Sequence, residues 1–274
     1  KHLENSLNPW STTNCWFKML HRLKAKQLLQ SLGAYANLIW DVVRDVRHHG
    51  VDLRETSKHI VSIGISSLPI ILLTAIFTGM VLALQAAYGL QRFGAKNYVG
   101  NLVGLALARE LGPVLTAVMV CGRVGAGIAA ELASMVVTEQ VDAIRALGGD
   151  PVRRLVTPRL LAGMISMPLL AGLALLIGIW GGMVVAVGEL GITGHQYYRS
   201  YLYAVQIRDV VDGLIKSFAF GMIVVSIACY KGLACRGGTE EVGKTTTSAV
   251  VTGSLAVFIA NFFITKLLIF LHFK

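Results

Sequence analysis

The chain has 274 residues, of which 54% are hydrophobic and only 15% charged, where a soluble domain carries about 25% charged. That composition excludes a soluble globular enzyme and indicates an all-α integral membrane protein. The formal net charge of +10 does not indicate a nucleic-acid partner, because the basic residues are scattered through inter-span loops and a basic N-terminal arm instead of forming one stripe.

Residues 1–58 read as a cytoplasmic or interfacial amphipathic arm ahead of a membrane domain over 59–274. Within the arm, residues 14–33 set Trp16, Phe17, Leu20, Leu23 and Leu28 among Lys18, Arg22, Lys24 and Lys26. That mixture predicts a helix lying in the headgroup region; a solvated basic tail is the alternative. A second mixed helix is expected within 34–58, with Leu38, Ile39, Val42, Val43 and Val46 set against Asp41, Arg44, Asp45 and Arg47. The polar N-terminus shows no cleavable signal, and the first long apolar run starts near Ile60.

Five apolar segments follow, at about 60–84, 99–121, 159–188, 210–231 and 248–271, each near the roughly 20 residues that span a bilayer. The third is long enough to tilt or bend, and Gly163, Pro168 and Gly172 favour a bend. Span one ends in TGMVLALQAAYGLQRFG. There Leu82, Gln85, Leu90 and Phe93 read as ordinary lipid-facing or packing residues, with the wall of a lipid path as the alternative.

Span two holds the most expensive residues in the chain. Arg109 and Glu110 lie near its middle, where charges face a cavity or a partner. Adjacent residues on a helix point about 100° apart, so the two are not expected to pair with each other. Gly112 and Pro113 follow at once. Pro113 has no N–H to give the Arg109 carbonyl, so the helix should bend beside the charges. A polar or amphipathic substrate path is one reading; charges that only brace neighbouring helices are the other.

From Gly122 to Pro151 the sequence is GRVGAGIAAELASMVVTEQVDAIRALGGDP. Its first half is a ladder of small residues, Gly122, Ala126, Ala130 and Ser134 beside Gly125, Ala129 and Ala133, shaped for close helix approach. In the second half Val137, Val141, Ile144 and Leu147 share one face, with Glu139, Gln140, Asp142 and Arg145 on the others. This predicts a short amphipathic helix, stopped by Gly148, Gly149 and Pro151. Such a helix between two spans is placed to be gripped from outside the membrane.

Lys216 and Lys266 are expected to snorkel to the interface. Glu189 and His195 have no metal-like companions, and Cys15, Cys121, Cys229 and Cys235 lack metal spacing and read as reduced structural thiols. Gly238–Thr245, GTEEVGKT, matches the P-loop pattern, but it lies between two spans without the strand and βαβ context that a phosphate cradle needs. A Gly-flanked turn is the better reading.

Lys and Arg counts set the expected orientation. Nine lie in the arm, five after span two (Arg123, Arg145, Arg153, Arg154, Arg159) and three after span four (Lys231, Arg236, Lys244). The opposite loops hold Arg92, Lys96, Arg199 and Arg208. Seventeen against four places the N-terminus and the 122–158 loop in the cytoplasm and the C-terminus outside. No stretch outside the spans is long enough for an enzyme domain, so the energy for any transport is expected from a partner.

The block from Arg109 to Pro158, with FTGMVLALQ before it and TTTSAVV near the end, resembles the MlaE/YrbE family of ABC-transporter permeases. The likeness extends over about residues 60–271 and carries little of the arm. Proteobacterial members look most similar, and the plastid lipid-import permease shares much of the pattern. The resemblance implies a homodimeric permease of the bacterial inner membrane, with a periplasmic C-terminus and no cofactor of its own. ATP and Mg²⁺ would act on a cytoplasmic ABC ATPase. A periplasmic MCE-domain protein would exchange phospholipid with it in maintaining outer-membrane lipid asymmetry, and a small STAS-domain protein is a further possible partner. It also implies that the helix from Thr138 to Leu147 couples to the ATPase through Glu139, Gln140, Asp142 and Arg145. It places Arg109 and Glu110 at the lipid cavity; the expectation added to it is that the acyl tails meet Leu82, Leu90 and Phe93 while the headgroup end is held near Arg109, Glu110 and Gln85, beside the bend at Gly112 and Pro113. Two readings of other classes stay open on the residues alone: a gradient-driven secondary transporter using Glu110 as its carrier, and a membrane scaffold that binds partners through the 122–158 loop.

Overall fold

The computed structural model describes residues 33–48, 50 and 52–272. The predicted headgroup helix over 14–33 lies, but for its last residue, outside them. The described residues are helical apart from short turns between the elements, with no strand among them. Helix α1 covers 33–48 and buries Val42 and Asp45, which bears out the mixed helix expected there. Five helices are long and apolar enough to cross a membrane: α2 (Leu53–Gln91), α3 (Lys96–Val137), α5 (Val152–Gly188), α7 (Ile207–Leu233) and α8 (Thr239–His272). Two short helices connect them, α4 (Gln140–Ala146) and α6 (Gly194–Ala204).

All five spans exceed their predicted lengths, because hydropathy marks only the apolar centre while the helices run on into polar turns. The first spanning helix, α2, starts at Leu53, where Asp52 caps it by accepting from the Arg54 and Glu55 amides at 3.1 and 3.3 Å; an N-cap oxygen satisfies donors that the helix start otherwise leaves open. The largest correction concerns α3. It does not end near residue 121 but runs on to Val137, so the connection to α5 is only 138–151 and the small-residue ladder is membrane helix. Arg123 and Arg159, read as loop residues, lie in α3 and α5.

Small residues determine how the spans meet. Helix α2 buries Ser67, Ile71, Ala75, Gly79, Ala83 and Ala87, one residue every fourth position. This stripe packs along α5, where a Cβ on Gly79 would fall 1.8 Å from the Gly178 carbonyl and one on Gly181 2.4 Å from that of Ile76. Backbones this close are the small-residue mode of membrane packing. The ladder on α3 splits: Gly125, Ala129 and Ala133 are buried, whereas Gly122 and Ser134 are exposed. A Cβ on Gly232 of α7 would lie 2.7 Å from the Leu132 Cβ and 3.0 Å from the Ala129 carbonyl. Pro168 sits inside an unbroken α5.

Two apolar clusters fill the bundle. One, toward α4, gathers Val120, Leu132, Val156, Met167, Phe220 and Val224; the other, toward α6, gathers Ala83, Val103, Leu107, Ile179 and Tyr197. Helix α8 leaves Phe258, Phe262, Phe263, Leu267 and Phe270 pointing outward. Large apolar side chains facing out along whole helices are what a hydrocarbon surround requires of a membrane bundle.

Candidate functional site

Between the two clusters, α3 departs from α-helical geometry. Residues Leu107–Leu111 form a π turn, closed by the Gly112 amide donating to the Leu107 carbonyl. Pro113, one residue on, has no N–H for the Arg109 carbonyl. That acceptor is satisfied from another helix: Lys216 Nζ of α7 donates to it at 2.7 Å. The disturbance expected at Gly112 and Pro113 is therefore a widened turn with its free carbonyl repaired from outside. π turns of this kind are frequent at functional sites.

The turn aims its two charges at different neighbours. Arg109 donates from Nε to Asp209 Oδ1 at 2.7 Å, and its Nη2 lies 2.7 Å from the same oxygen. The other Asp209 oxygen accepts from the Gln206 amide at 2.9 Å within a capping box at the start of α7. Glu110 Oε1 accepts from Lys216 Nζ at 2.7 Å and from Thr265 Oγ1 at 3.1 Å, and Oε2 accepts from Asn261 Nδ2 at 3.0 Å. Arg109 and Glu110 thus do not pair with each other, as their helical offset implied. The cluster ties α3 to α7 and α8, and α7 comes near enough that a Cβ on Gly213 would lie 2.3 Å from the Ala108 carbonyl.

Exposure separates the two sides of this cluster. Asp209 and Lys216 are 6% and 3% exposed, whereas Arg109 and Glu110 are 58% and 39% exposed. The partners are buried anchors, and the two α3 charges stand at the open side. Two carboxylates and two cations cancel, so the site as a whole is neutral. What it offers an incoming group is a guanidinium held on one edge and free on the other, the geometry that grips phosphate or carboxylate.

Four members of this cluster were not among the expected site residues. Lys216 is not a snorkelling residue at the interface but a buried partner of Glu110; the correction follows from the carboxylate and carbonyl that α3 places against it. Asp209, Asn261 and Thr265 were passed over. Their signal was the one that marked Arg109: a polar side chain inside or at the edge of an apolar span needs a partner.

The expected lipid-wall residues fall in two groups. Leu82 and Leu90 are half-buried and pack on the apolar cluster toward α6, while the α2 residues beside the π turn are Ile71, Thr74, Ala75 and Thr78. Gln85 is exposed on α2, and Phe93 is exposed in the turn after it. No hydrogen bond joins Gln85 to Arg109 or Glu110.

At the far end of α3, α4 starts at Gln140 and ends at Ala146, shorter than the amphipathic pattern from Val137 to Leu147. Val141 is buried and Ile144 half-buried, but Leu147 is exposed. Glu139, Gln140, Asp142 and Arg145 are all exposed. Among the described residues Arg145 pairs only with Asp142, at 3.0 Å, and Gln140 donates to Thr138 at 3.1 Å. Glu139 adopts a left-handed backbone, φ 58°, the one non-glycine residue to do so among those described.

The P-loop-like stretch is the first turns of α8, helical from Thr239, with Lys244 paired to Glu241 at 2.8 Å and Glu240 at 3.2 Å. A lysine held by two carboxylates on a helix forms no phosphate cradle.

Comparison with known proteins gives one consistent result. The family model described as Permease MlaE matches residues 56–267. A probable ABC transporter permease protein of Rickettsia typhi is 42% identical over 239 residues, 87% of this chain and 92% of that protein. The intermembrane phospholipid transport system permease protein MlaE of Haemophilus influenzae is 40% identical, covering 75% of this chain and 79% of its own. The chloroplastic protein TRIGALACTOSYLDIACYLGLYCEROL 1 of Arabidopsis thaliana is 37% identical over 76% of this chain and 60% of its own.

Proposed function

The chain belongs to the MlaE permease family, a multi-pass membrane protein related to ABC-transporter permeases, and on that premise we propose that it moves phospholipid between the inner membrane and a periplasmic MCE-domain carrier. In this reading Arg109 and Glu110 hold the headgroup end of the lipid at the widened turn, and Leu82 and Leu90 flank the acyl chains. The observation that carries it is the asymmetry of the charged cluster: Asp209 and Lys216 are buried and spent on holding, while Arg109 and Glu110 remain open. A purely bracing network would bury all four.

A separate cytoplasmic ATPase supplies the energy, with ATP and Mg²⁺ bound there, and grips α4 through Glu139, Gln140, Asp142 and Arg145. Those side chains are exposed and make their few bonds within their own segment, which leaves them available to a partner. A second copy of the chain completes the lipid cavity, and a small STAS-domain protein is a further partner. The N-terminus and α4 face the cytoplasm and the C-terminus the periplasm, consistent with the distribution of Lys and Arg. The role of the assembly is to maintain lipid asymmetry in the outer membrane.

The test is to purify the tagged chain from native membranes in mild detergent, identify its protein partners by mass spectrometry and extract its lipids. An ATPase and an MCE-domain protein, with phospholipid that is lost on Arg109→Ala or Glu110→Ala, is the expected result. A chain that comes out alone and lipid-free, yet moves a solute on an ion gradient in vesicles, overturns the reading in favour of Glu110 as a carrier.

A further inference from the structure

A second polar groove lies away from the Arg109 cluster, at the end of the bundle that carries α4. Helix α2 contributes His59, Ser62 and Ser66, spaced at i, i+3 and i+7 along one stripe. Helix α3 faces them with Arg123, Gly127 and Glu131, spaced at i, i+4 and i+8, and Arg159 closes the groove from the start of α5. Its volume is about 260 Å³. A cleft of that size is below the 300–1,000 Å³ or so of sites that enclose whole drug-sized ligands, but it accommodates a phosphate ester headgroup.

Two observations show a site here. Arg159 is buried, with 5% of its side chain exposed; it gives Nη2 to Glu131 at 2.7 Å and Nη1 to the Leu155 carbonyl at 2.9 Å. Its Nε, shut off from the surface, has no acceptor among the described residues. A buried guanidinium with an unused donor is an uncommon expense in a protein interior. Arg123 is exposed within the second π turn of α3, Cys121–Gly125, and makes no hydrogen bond or ion pair among the described residues. The Arg159–Glu131 pair is neutral, so Arg123 leaves the groove with a net positive charge. Between these side chains the floor is open, since a Cβ on Gly127 would meet nothing within 4 Å. Val61 and Ile65, next to Ser62 and Ser66 on α2, are exposed apolar residues along which an acyl chain can lie.

We propose that this groove binds the phosphate of an anionic phospholipid as a resident lipid, held by the exposed guanidinium of Arg123, with Ser62 and Ser66 supplying hydroxyl donors and the Arg159–Glu131 pair forming the wall behind. It is a site separate from the charged cluster at Arg109. The inference rests on the membrane placement of the chain and not on the transport reading, so either can fail without the other.

Native mass spectrometry of the full chain in detergent tests it, with phosphatidylglycerol, phosphatidylcholine or inorganic phosphate added. Wild type should retain phosphatidylglycerol in preference to phosphatidylcholine. Losing one charge-assisted contact in Arg123→Gln should lower that retention by about tenfold. Gly127→Leu, whose Cβ has nothing within 4 Å, puts bulk on the floor of the groove and should do the same with every charge intact. Circular dichroism should show wild-type helix content in both. Arg109→Ala should keep the bound phosphatidylglycerol even where it loses transported lipid. Unchanged retention in both groove variants overturns the proposal, as does loss of the lipid in Arg109→Ala. Displacement of phosphatidylglycerol by millimolar inorganic phosphate would make the ligand a free anion and overturn the lipid assignment.

Discussion

The middle and the end of α3 both carry charges, and they use them in opposite ways. At the π turn, Arg109 and Glu110 are answered by side chains about a hundred or more residues away in sequence, on α7 and α8. Around α4, Asp142 and Arg145 answer, among the described residues, only each other across one helical turn, a pairing worth a few tenths of a kcal/mol on an exposed helix. Long-range pairing to buried partners makes the first region part of what holds the helices together. Short-range pairing at the surface leaves the second with almost no structural duty. Charge inside the bundle is therefore structural whatever else it does, whereas charge on α4 can be changed at little cost to the fold.

The sharpest way to break this contrast is to remove the Glu110 carboxylate. In Glu110→Ala the Lys216 ammonium, 3% exposed, keeps only the Arg109 carbonyl. Stranding a buried charge costs about 3–5 kcal/mol, so thermal unfolding in detergent should show a large drop in midpoint. The double variant Glu110→Gln with Lys216→Met removes both charges and should recover most of it. A Glu110→Ala midpoint equal to wild type would show that the pair does not hold the bundle. Next in size is Asp209→Ala. Its partner Arg109 can turn to a polar surrounding, so the loss should be about 1–3 kcal/mol, part of it from the broken cap at Gln206. Asp209→Asn, which keeps an oxygen for the cap, should lose less.

Much of this arrangement was legible in the sequence, and the shortfall has a physical pattern. Apolar runs located all five spans, and the cost of intramembrane charge singled out Arg109 and Glu110, because both signals are local. The span ends were misplaced because caps such as Asp52 and the polar tail of α3 are helical without being apolar. Pro113 announced a disturbed helix, but its form, a π turn with the Arg109 carbonyl accepting from Lys216, depends on where α7 lies. Lys216 was misread for the same reason: taken alone, a lysine in an outer half-span snorkels, and only the approach of α7 at Gly213 brings it against Glu110. Asn261 and Thr265 joined the site through a contact with α8 that no spacing within either helix encodes.

At α4 the contrast makes the reverse prediction. Charge reversal at Glu139 and Arg145 together should move the unfolding midpoint by no more than about 0.5 kcal/mol equivalent, as for exposed residues without buried partners. ATP-driven lipid transfer in reconstituted vesicles should nevertheless stop. Normal transfer in that variant would remove α4 from the coupling role.

The smallest effect separates Glu139's backbone from its side chain. A non-glycine residue in the left-handed region is strained by about 1 kcal/mol, and Asn tolerates that conformation better than Glu. Glu139→Asn should therefore leave the unfolding midpoint unchanged or raise it slightly, by about 0.5 kcal/mol at most. If Glu139 meets the ATPase through its carboxylate, the same variant should lose coupling despite the gain, so that stability and transport move in opposite directions. If both stay at wild-type values, the left-handed turn serves only to redirect the chain from α3 into α4, and the contacts with the motor lie on Gln140, Asp142 and Arg145.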